Sequence, residues 1–314
     1  MMRCCFITLG CRVNQYESDA MAELLTQAGF EITENPAEAD VCIVNTCTVT
    51  NIADRKSRQM LSKAHKLNPN AKLIAAGCFA QRSPEAAAKP EGVYAVLGSA
   101  DKNRVVELVK SIAEGRENEP KSEKCNCGEK ELCDCFGSAE KSECSGNKSG
   151  GAKILVRDVM HEHEFEEMSA VHEGRTRAYL KIQDGCNMFC TYCAIPYARG
   201  GLRSRSIESV RAEAEKLNNE GFSEVVLTGI HLMSYGRDLR SGTDIRDAVR
   251  CFDGLNNIKR IRFGSLEPHM MTDEIIAELA DNKRICRQFH LSLQSGSDTV
   301  LERMRRGYTS GQYF

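Results

Sequence analysis

The second half of the chain is organised around one run of residues, Cys186-Asn187-Met188-Phe189-Cys190-Thr191-Tyr192-Cys193, which has the spacing C-x3-C-x2-C. It follows a short apolar strand predicted over 179–182 and a turn at Asp184-Gly185. Three thiolates on one short loop can hold three irons of a cubane iron–sulfur cluster. No fourth cysteine has a matching spacing, which would leave the fourth iron open to an exchangeable ligand. The alternatives are a zinc knuckle, although structural zinc usually has four ligands, or buried thiols.

Cysteine is the unusual residue in an otherwise ordinary composition. The 314 residues are 41% hydrophobic and 27% charged, and 16 of them are cysteines. The length predicts about two domains, and the cysteine fraction is below the ~8–10% of disulfide scaffolds. The chain shows no secretory signal and no apolar run of about 18 residues. We therefore expect a reducing cytoplasm, no membrane, and clustered cysteines that bind metal. The net charge of −2 requires any RNA contact to come from a local patch.

Residues 2–114 alternate between predicted strands and helices. Apolar runs at 6–9, 41–44, 73–76 and 94–97 are typical of buried parallel strands. The first helix is expected to begin at an N-cap Ser18 and to stop at Gly29. This alternation predicts an α/β, flavodoxin-like, doubly wound parallel sheet.

Three further cysteines follow successive strands of this predicted sheet. Cys11, Cys47 and Cys78 each lie just past the carboxyl end of an apolar run. Because these ends share one edge of a parallel sheet, we expect the three thiols to converge. Gly10 and Gly77 would let the backbone approach a bulky cluster. The alternative is three buried small hydrophobic residues.

The remainder of the chain divides into a polar linker and a second α/β unit. Residues 116–150 are rich in Glu, Lys, Ser, Gly and Asn. From about residue 176, four strand–helix repeats fit either an open parallel sheet or a partial α/β barrel. We predict domains over 1–115 and 172–314, joined by a largely disordered, cysteine-containing linker over 116–171.

The C-x3-C-x2-C run resembles the signature of the radical S-adenosylmethionine (SAM) superfamily. That resemblance implies a [4Fe–4S] cluster on Cys186, Cys190 and Cys193 whose open iron binds SAM. It also implies a partial (β/α)6 barrel. The positions that the resemblance places against SAM are Tyr192, Gly229, Ser292 and Gln294. The alternative for Gly229, Ser292 and Gln294 is filling of the barrel interior.

Together, residues 1–114 and 172–314 resemble the methylthiotransferase family. The segments 45–54 and 180–186 look like the branch that acts on threonylcarbamoyladenosine in tRNA. The resemblance implies a second [4Fe–4S] cluster on Cys11, Cys47 and Cys78, where a sulfur is methylated by one SAM. A second SAM, cleaved at the other cluster, yields the radical that opens C2 of adenosine 37 beside the anticodon.

The resemblance further implies tRNA, through its anticodon loop, and an external electron donor as partners. Two alternatives within this chemistry are isopentenyladenosine in tRNA and a ribosomal protein as substrate. A third is a non-catalytic iron–sulfur electron-transfer module.

Local charge indicates where RNA would bind. Arg203 and Arg205 follow the cysteine loop and are predicted to contact phosphates, the alternative being a solvated loop. A weaker candidate is the group Arg55, Lys56 and Arg58, which can equally be an exposed helix face.

Several features receive no catalytic role. Cys4, Cys5, Cys42, Cys251 and Cys286 are expected to be core thiols. The array Cys125, Cys127, Cys133 and Cys135 is interpreted as part of a disordered insert, although it could bind zinc or a cluster. The tract 161–164 is interpreted as a solvated connector. Only four of the family's six strand–helix units are visible, and its C-terminal TRAM domain is absent. We therefore expect a truncated sequence whose isolated product has low solubility or activity.

Overall fold

A computed structural model describes residues 1–115, 151–170 and 175–313 of the chain. Its first part is a six-stranded parallel sheet in the order β2-β1-β3-β4-β5-β6, with helices packed on it. The elements of this part are β1 (Arg3–Thr8), α1 (Arg12–Gln27), β2 (Glu31–Ile32), β3 (Val41–Thr46), α2 (Asn51–Leu67), β4 (Lys72–Gly77), α3 (Cys78–Arg82), α4 (Pro84–Ala88), β5 (Val93–Leu97), α5 (Val105–Ala113) and β6 (Lys153–Leu155).

The central strands explain why this sheet is parallel and covered on both faces. All six residues of β3 are buried, and five of the six in β4. Two hydrophobic clusters lie on opposite faces: one contains Cys42 and Val44, and the other Val41 and Ile43. A strand that is buried on both faces needs helices above and below it. The strand order confirms the predicted flavodoxin-like architecture.

The start of the first helix differs from the sequence-based prediction. Helix α1 begins at Arg12, and Ser18 lies inside it rather than at its N-cap. The Ser18 hydroxyl accepts hydrogen bonds from Thr8 Oγ1 at 2.7 Å and Asn45 Nδ2 at 3.0 Å. Its polarity is therefore satisfied by neighbouring strands and not by the end of a helix. Residues 12–17 therefore belong to the helix, and four of their side chains are buried.

Part of the segment predicted to be a linker belongs to the first sheet. Strand β6 pairs in parallel with β5, so that Ala95 lies opposite Lys153 and Leu97 opposite Leu155. A short apolar run, Ile154-Leu155-Val156, supplies the side chains that pack there. The segment 116–171, predicted to be a largely disordered linker, therefore contains an ordered strand at residues 153–155. The predicted array at Cys125–Cys135 lies outside the described residues.

The second part is built around the cysteine loop. A parallel sheet of β11-β10-β7 forms its centre, with β12 and β13 as a further parallel pair and β8 and β9 as an antiparallel pair. Its elements are β7 (Ala178–Lys181), β8 (Gln183–Asp184), α6 (Ile195–Arg199), β9 (Arg203–Ser204), α7 (Ile207–Asn219), β10 (Glu224–Thr228), α8 (Ile245–Arg250), β11 (Arg260–Phe263), β12 (Ser265–Leu266), α9 (Asp273–Asp281), β13 (His290–Leu291), α10 (Asp298–Arg303) and α11 (Ser310–Tyr313).

The four predicted strands of the second part appear as β7, β10, β11 and β13, each followed by a helix along the chain. One hydrophobic cluster, which includes Leu180, Leu227 and Phe263, joins the central strands to their helices. The structure therefore agrees with the predicted partial barrel. Within the described ranges, no helix combines the length and the apolar character needed to cross a bilayer.

Candidate functional site

Three cysteines gather at the carboxyl edge of the first sheet, and we call them the first triad. Cys11 is the N-cap residue of α1, Cys47 follows β3, and Cys78 is the first residue of α3. The side-chain oxygen of Asn14 lies 4.0 Å from Cys11 Sγ and 4.0 Å from Cys78 Sγ. Burial raises the pKa of Cys47, and the charge of Cys78 adds to this shift. The structure thus brings together the three residues that the sequence predicted to converge.

A glycine lets the backbone pass close to this triad. Gly10 has a φ of +104°, in the left-handed region that favours glycine. A Cβ atom at this position would lie 3.0 Å from Cys47 Cβ and 3.1 Å from Cys47 Sγ. A side chain at position 10 would therefore crowd the Cys47 thiol.

Burial and donor groups act in opposite directions on the thiols of the first triad. Burial raises the pKa of Cys47 and of Cys78. Backbone N–H groups at Val49 and Thr48 oppose this effect at Cys47, and the Arg199 guanidinium opposes it at Cys78. Such donors stabilise a thiolate, which is the form of cysteine that binds metal.

The second triad is Cys186, Cys190 and Cys193, on the loop between β8 and α6. The Met188 N–H donates to Cys186 Sγ at 3.4 Å. Burial raises the pKa of Cys186 to about 11, while this N–H opposes the shift. The loop enters the site through Gly185, whose φ is +68° and where a Cβ would overlap the Gly201 carbonyl oxygen. The loop therefore packs tightly against the strand pair β8–β9.

A buried guanidinium also lies at the second triad. Arg306 Nη1 donates to Cys190 Sγ at 3.2 Å and to Tyr192 Oη at 3.4 Å, and Arg306 Nη2 pairs with Glu267. His231 Nε2 lies 3.9 Å from Glu267 Oε1. His231 Nε2 and Arg306 Nε are buried and have no hydrogen-bond partner among the described residues. Two unsatisfied polar atoms near the cysteines indicate room for a polar ligand.

Glu17 and Asp184 form the anionic centre of a buried network that joins the two parts of the chain. Glu17 Oε1 lies 2.8 Å from Arg199 Nη1, 2.8 Å from Lys181 Nζ and 3.2 Å from Lys102 Nζ. Asp184 accepts from Lys181 Nζ at 2.6 Å and from Arg199 Nη1 at 3.1 Å. Burial alone would raise the pKa of Glu17, but the three cations outweigh it and hold that pKa well below its usual value.

This network carries more positive than negative charge. Within the described part of the chain it contains two carboxylates, Glu17 and Asp184, and four cations. The cations are Lys102, Lys181, Arg199 and Arg203. Uncompensated buried charge is costly, so an excess of cations next to Cys78 favours an anionic group at the first triad. A cluster held by thiolates is such a group.

Each triad supplies three thiol groups, the donor set that a cubane cluster uses. In the ranges that the structure describes, no three His, Cys, Asp or Glu side chains are placed to hold one ion together. A cubane does not need that arrangement, because each thiolate binds a different iron. Each triad has three cysteines and at least one N–H donor to a cysteine sulfur, at Cys78 and at Cys190. Hydrogen bonds to the sulfurs are one way in which proteins set the potentials of such clusters.

Comparisons with known proteins divide the chain in the same way. The model of Uncharacterized protein family UPF0004 matches residues 3–98, and that of the Radical SAM superfamily matches residues 180–314. The chain is 38% identical to Threonylcarbamoyladenosine tRNA methylthiotransferase MtaB of Bacillus subtilis, covering 97% of this chain and 60% of that protein. It is 35% identical to the MtaB protein of Aquifex aeolicus, covering 99% of this chain and 68% of that protein.

The chain belongs to the MtaB family of radical SAM methylthiotransferases. It spans about 60% of the length of its Bacillus subtilis relative. A tRNA-2-methylthio-N(6)-dimethylallyladenosine synthase of Pelotomaculum thermopropionicum is 29% identical over 98% of the chain. The radical SAM match implies a [4Fe–4S] cluster and SAM.

A solved structure supports the fold of the MtaB-family chain. The radical SAM methyltransferase TsrM from Kitasatospora setae, solved with cobalamin and a [4Fe-4S] cluster bound, superposes with a TM-score of 0.62. The two share 17% identity, and the match covers 99% of this chain and 66% of TsrM. This likeness concerns the fold alone.

The structure places two of the predicted SAM-contacting residues close to the second triad. Tyr192 is 48% exposed, and its hydroxyl accepts from Arg306, which also contacts Cys190. Gly229 lies at the end of β10, where a Cβ would come within 2.9 Å of Gln183 Oε1. The Gln183 side chain in turn donates to the Gly185 carbonyl at 2.6 Å. Gly229 is therefore packed against the strand that leads into the cysteine loop.

Ser292 and Gln294 lie beyond the last strand and not on it. Strand β13 ends at Leu291, because the chain bends at this point and the Leu293 N–H donates back to the Leu291 carbonyl. The Ser292 carbonyl accepts from Tyr308 Oη at 2.6 Å. Gln294 is exposed and has a φ of +67°. Their predicted contact with SAM stays a prediction.

Arg203 and Arg205 are buried, each with 4% of its surface exposed. Arg203 Nη2 donates to the Arg199 carbonyl at 2.8 Å. Arg205 pairs with Glu213 and, through Nε at 2.9 Å, with Glu167. Neither guanidinium faces solvent, so a phosphate would have to displace an internal partner. Their placement gives no support to the predicted phosphate contacts.

The remaining predictions concern residues outside the two triads. Arg55, Lys56 and Arg58 are exposed on α2, the helix that follows Cys47. Cys4, Cys5, Cys42 and Cys251 are buried, as core thiols would be, whereas Cys286 is only half-buried. The tract 161–164 helps to line a cavity of about 560 Å³ that also contacts Arg157 and Arg203.

Sequence reasoning missed the polar residues that surround the triads. Asn14 and Glu17 receive no role from the sequence, because the first helix is expected to begin after them. Arg199 and Arg306 carried no signal beyond their type, although Arg199 stands six positions after Cys193. Arg199 has no acidic residue in its own helix, which is the one clue that the sequence offered for it.

Proposed function

We propose that this chain adds a methylthio group to C2 of N6-threonylcarbamoyladenosine at position 37 of tRNA. One observation supports it most: each cysteine triad has a guanidinium on one of its sulfurs. The buried network that contacts the first triad also includes Asp184, two positions before the second triad. The MtaB-named relatives from Bacillus subtilis and Aquifex aeolicus support the choice of substrate. The partners are the tRNA anticodon loop and an external electron donor.

The proposal assigns one [4Fe–4S] cluster to each triad. Reduced cluster and SAM supply a carbon radical, which can open a C–H bond that has no acidic proton. Cys186, Cys190 and Cys193 hold the cluster that binds SAM, and Cys11, Cys47 and Cys78 hold the other.

The chain's own polar residues orient the cofactor and keep charge in the second site balanced. Tyr192 and Gly229 are assigned to SAM, with Ser292 and Gln294 reaching it from beyond β13. Arg306 fixes Glu267 beside the second triad, and His231 stays neutral there because burial lowers its pKa to about 4. A neutral imidazole can accept a hydrogen bond from a cationic ligand group. No acid–base pair is needed to open the C–H bond.

The exposed cations Arg55, Lys56 and Arg58 are the better candidates for RNA contact. They lie on the helix that begins shortly after Cys47, so phosphates bound there would place RNA near the first triad.

Nucleoside analysis tests the substrate. The gene that encodes this protein is deleted from its own organism, and tRNA nucleosides are measured by mass spectrometry. We expect 2-methylthio-N6-threonylcarbamoyladenosine to disappear, and to return with the unaltered gene but not with Cys47→Ala. Loss of the methylthio group from an isopentenyladenosine nucleoside or from a ribosomal protein instead would replace this substrate with an alternative one.

Iron content and SAM cleavage test the chemistry independently. Two cubanes require about 8 iron atoms per chain after anaerobic reconstitution, and loss of either triad should leave about 4. Cys251→Ala removes a core thiol and serves as the control that keeps all the iron. Dithionite and SAM should then yield 5′-deoxyadenosine. Iron without this product would indicate an electron-transfer module in place of an enzyme.

A further inference from the structure

Arg199 connects the first triad to the loop that carries the second. Its Nε donates to Cys78 Sγ at 3.2 Å, and its Nη1 donates to Asp184 at 3.1 Å. Asp184 stands two positions before Cys186, the first cysteine of the second triad. Arg199 itself closes α6, which follows Cys193. One side chain therefore contacts a residue of the first triad and the strand leading into the second.

The guanidinium cannot turn away from Cys78. Its two terminal nitrogens are held by Glu17, with Nη1 to Oε1 at 2.8 Å and Nη2 to Oε2 at 3.0 Å. Nη2 also donates to Asn14 Oδ1 at 2.6 Å. A guanidinium is planar, so a carboxylate that binds both terminal nitrogens fixes the direction of the Nε–H bond. That bond is aimed at the sulfur.

Burial makes this contact electrostatically strong. Arg199 is 1% exposed and Cys78 is 2% exposed. Charges in such surroundings are weakly screened by water and salt. The surrounding network already has more cations than carboxylates, so Arg199 is not needed merely to neutralise Glu17 and Asp184. Lys102 and Lys181 contact those carboxylates as well.

We propose that Arg199 is a positioning residue of the first triad: it holds Cys78 and raises the reduction potential of a cluster bound there. Reduction by one electron adds a negative charge to the cluster. A fixed cation and an N–H donor at a ligating sulfur stabilise the more negative state. This inference rests on the proposed function, because it requires a cluster at Cys11, Cys47 and Cys78.

The test uses the full chain with Cys186, Cys190 and Cys193 replaced by alanine, so that only the first triad can be loaded. After anaerobic reconstitution, the cluster is titrated with dithionite and followed by electron paramagnetic resonance. Arg199→Lys keeps the positive charge but cannot donate to Cys78 and Glu17 with the same planar geometry. We expect its potential to move to a more negative value while the iron content is retained.

Two further variants separate the contact from folding. Arg199→Gln removes the guanidinium but leaves Glu17 paired with Lys102 and Lys181, and its potential should shift in the same direction. Arg205→Lys alters another buried arginine, which contacts Glu213 and Glu167 and, among the residues that the structure describes, no cysteine. Its potential should equal that of the parent chain.

A spectroscopic measurement needs no variant at residue 199. It uses the parent chain of these variants, in which alanines replace Cys186, Cys190 and Cys193. With 15N-labelled arginine, pulsed paramagnetic resonance of the reduced cluster should detect coupling to a guanidinium nitrogen. Absence of this coupling would overturn the inference and leave the proposed function intact. An unchanged potential in both variants of Arg199 would do the same. Absence of iron from the first triad would overturn both.

Discussion

Arg306 Nη1 lies 3.2 Å from Cys190 Sγ, and it reaches this cysteine from a position 116 residues later in the chain. Arg199 likewise donates to Cys78 Sγ, and it lies 121 residues after that cysteine in the chain. Each triad therefore receives a guanidinium from a distant segment. Arg306 also pairs with Glu267 and stacks over Tyr308, with 5.2 Å between its guanidinium carbon and the ring centre. The segment between α10 and α11 is in this way attached to the second triad.

Replacing Arg306 should impair the second triad more than the first. Arg306→Gln removes the charge that neutralises Glu267 and the donor to Cys190. We expect 5′-deoxyadenosine formation to fall by about tenfold or more, which corresponds to about 1.4 kcal/mol. The yield of 5′-deoxyadenosine per cluster, determined after reduction, measures this decrease. The exposed Arg303→Gln in α10 is the matched control, and equal yields from the two variants would contradict the expectation.

Replacing Glu17 should destabilise the whole fold. Glu17 is completely buried among Arg199, Lys102 and Lys181. Glu17→Gln leaves these cations without their shared carboxylate, and removal of one partner from a buried ion pair costs about 3–5 kcal/mol. Denaturant unfolding of the metal-free, reduced chain measures the loss. Glu31→Gln, at an exposed position of β2, should change the free energy of unfolding by less than about 0.5 kcal/mol.

Adding a methyl group at Gly10 should block the first triad. Gly10→Ala and Gly29→Ala both place alanine at a positive φ, which costs about 1–2 kcal/mol in each case. Nothing lies within 4 Å of a Cβ at Gly29, whereas a Cβ at Gly10 meets Cys47. We expect iron content to fall by about half only in Gly10→Ala. If both variants load equally, the close approach at Gly10 is not required for the cluster.

His231 should make stability depend on pH. Burial, with the nearby charges of His269 and Arg306, lowers the pKa of His231 to about 4. An unfolded histidine titrates near pH 6.5, so between these values only the unfolded chain binds the proton. Stability should therefore fall as the pH is lowered from about 6.5 to 4, by about 3 kcal/mol in total.

The measurement for His231 is denaturant unfolding of the metal-free chain across this pH range. His231→Asn should remove this part of the slope, since asparagine does not titrate and can still bond Ser234. The exposed His161→Asn serves as control and should retain the slope. An unchanged slope in His231→Asn would show that another group dominates acid destabilisation.

The architecture and the two triads were predictable because they depend on local patterns. Apolar runs such as Val41–Val44 and Ile74–Ala76 mark buried parallel strands, and a cysteine directly after such a run must lie at the carboxyl edge. The spacing from Cys186 to Cys193 is likewise local. Neither inference needs knowledge of which side chains meet across the two parts of the chain.

The polar surroundings of the triads could not be predicted for the opposite reason. Glu17 and Arg199 meet across 182 positions, and no periodic pattern relates them. Arg203 and Arg205 resemble surface cations beside glycines in the sequence. In the fold both are buried, Arg203 against Asp184 of β8 and Arg205 against Glu213 of α7. Whether a charged residue faces solvent is decided by tertiary packing, which a single sequence does not display.

Strand β6 also determines where this molecule can be divided. The first sheet takes its last strand from residues 153–155, so its hydrogen bonding is completed only after the chain has passed position 150. A fragment that stops at residue 115 would expose the backbone N–H and C=O groups of β5 along a free edge, and such edges recruit strands from other molecules. Expression of the N-terminal half should therefore yield aggregates when the cut is made at 115. A break placed between residues 116 and 150, with both halves present, leaves every described pairing available for reassembly.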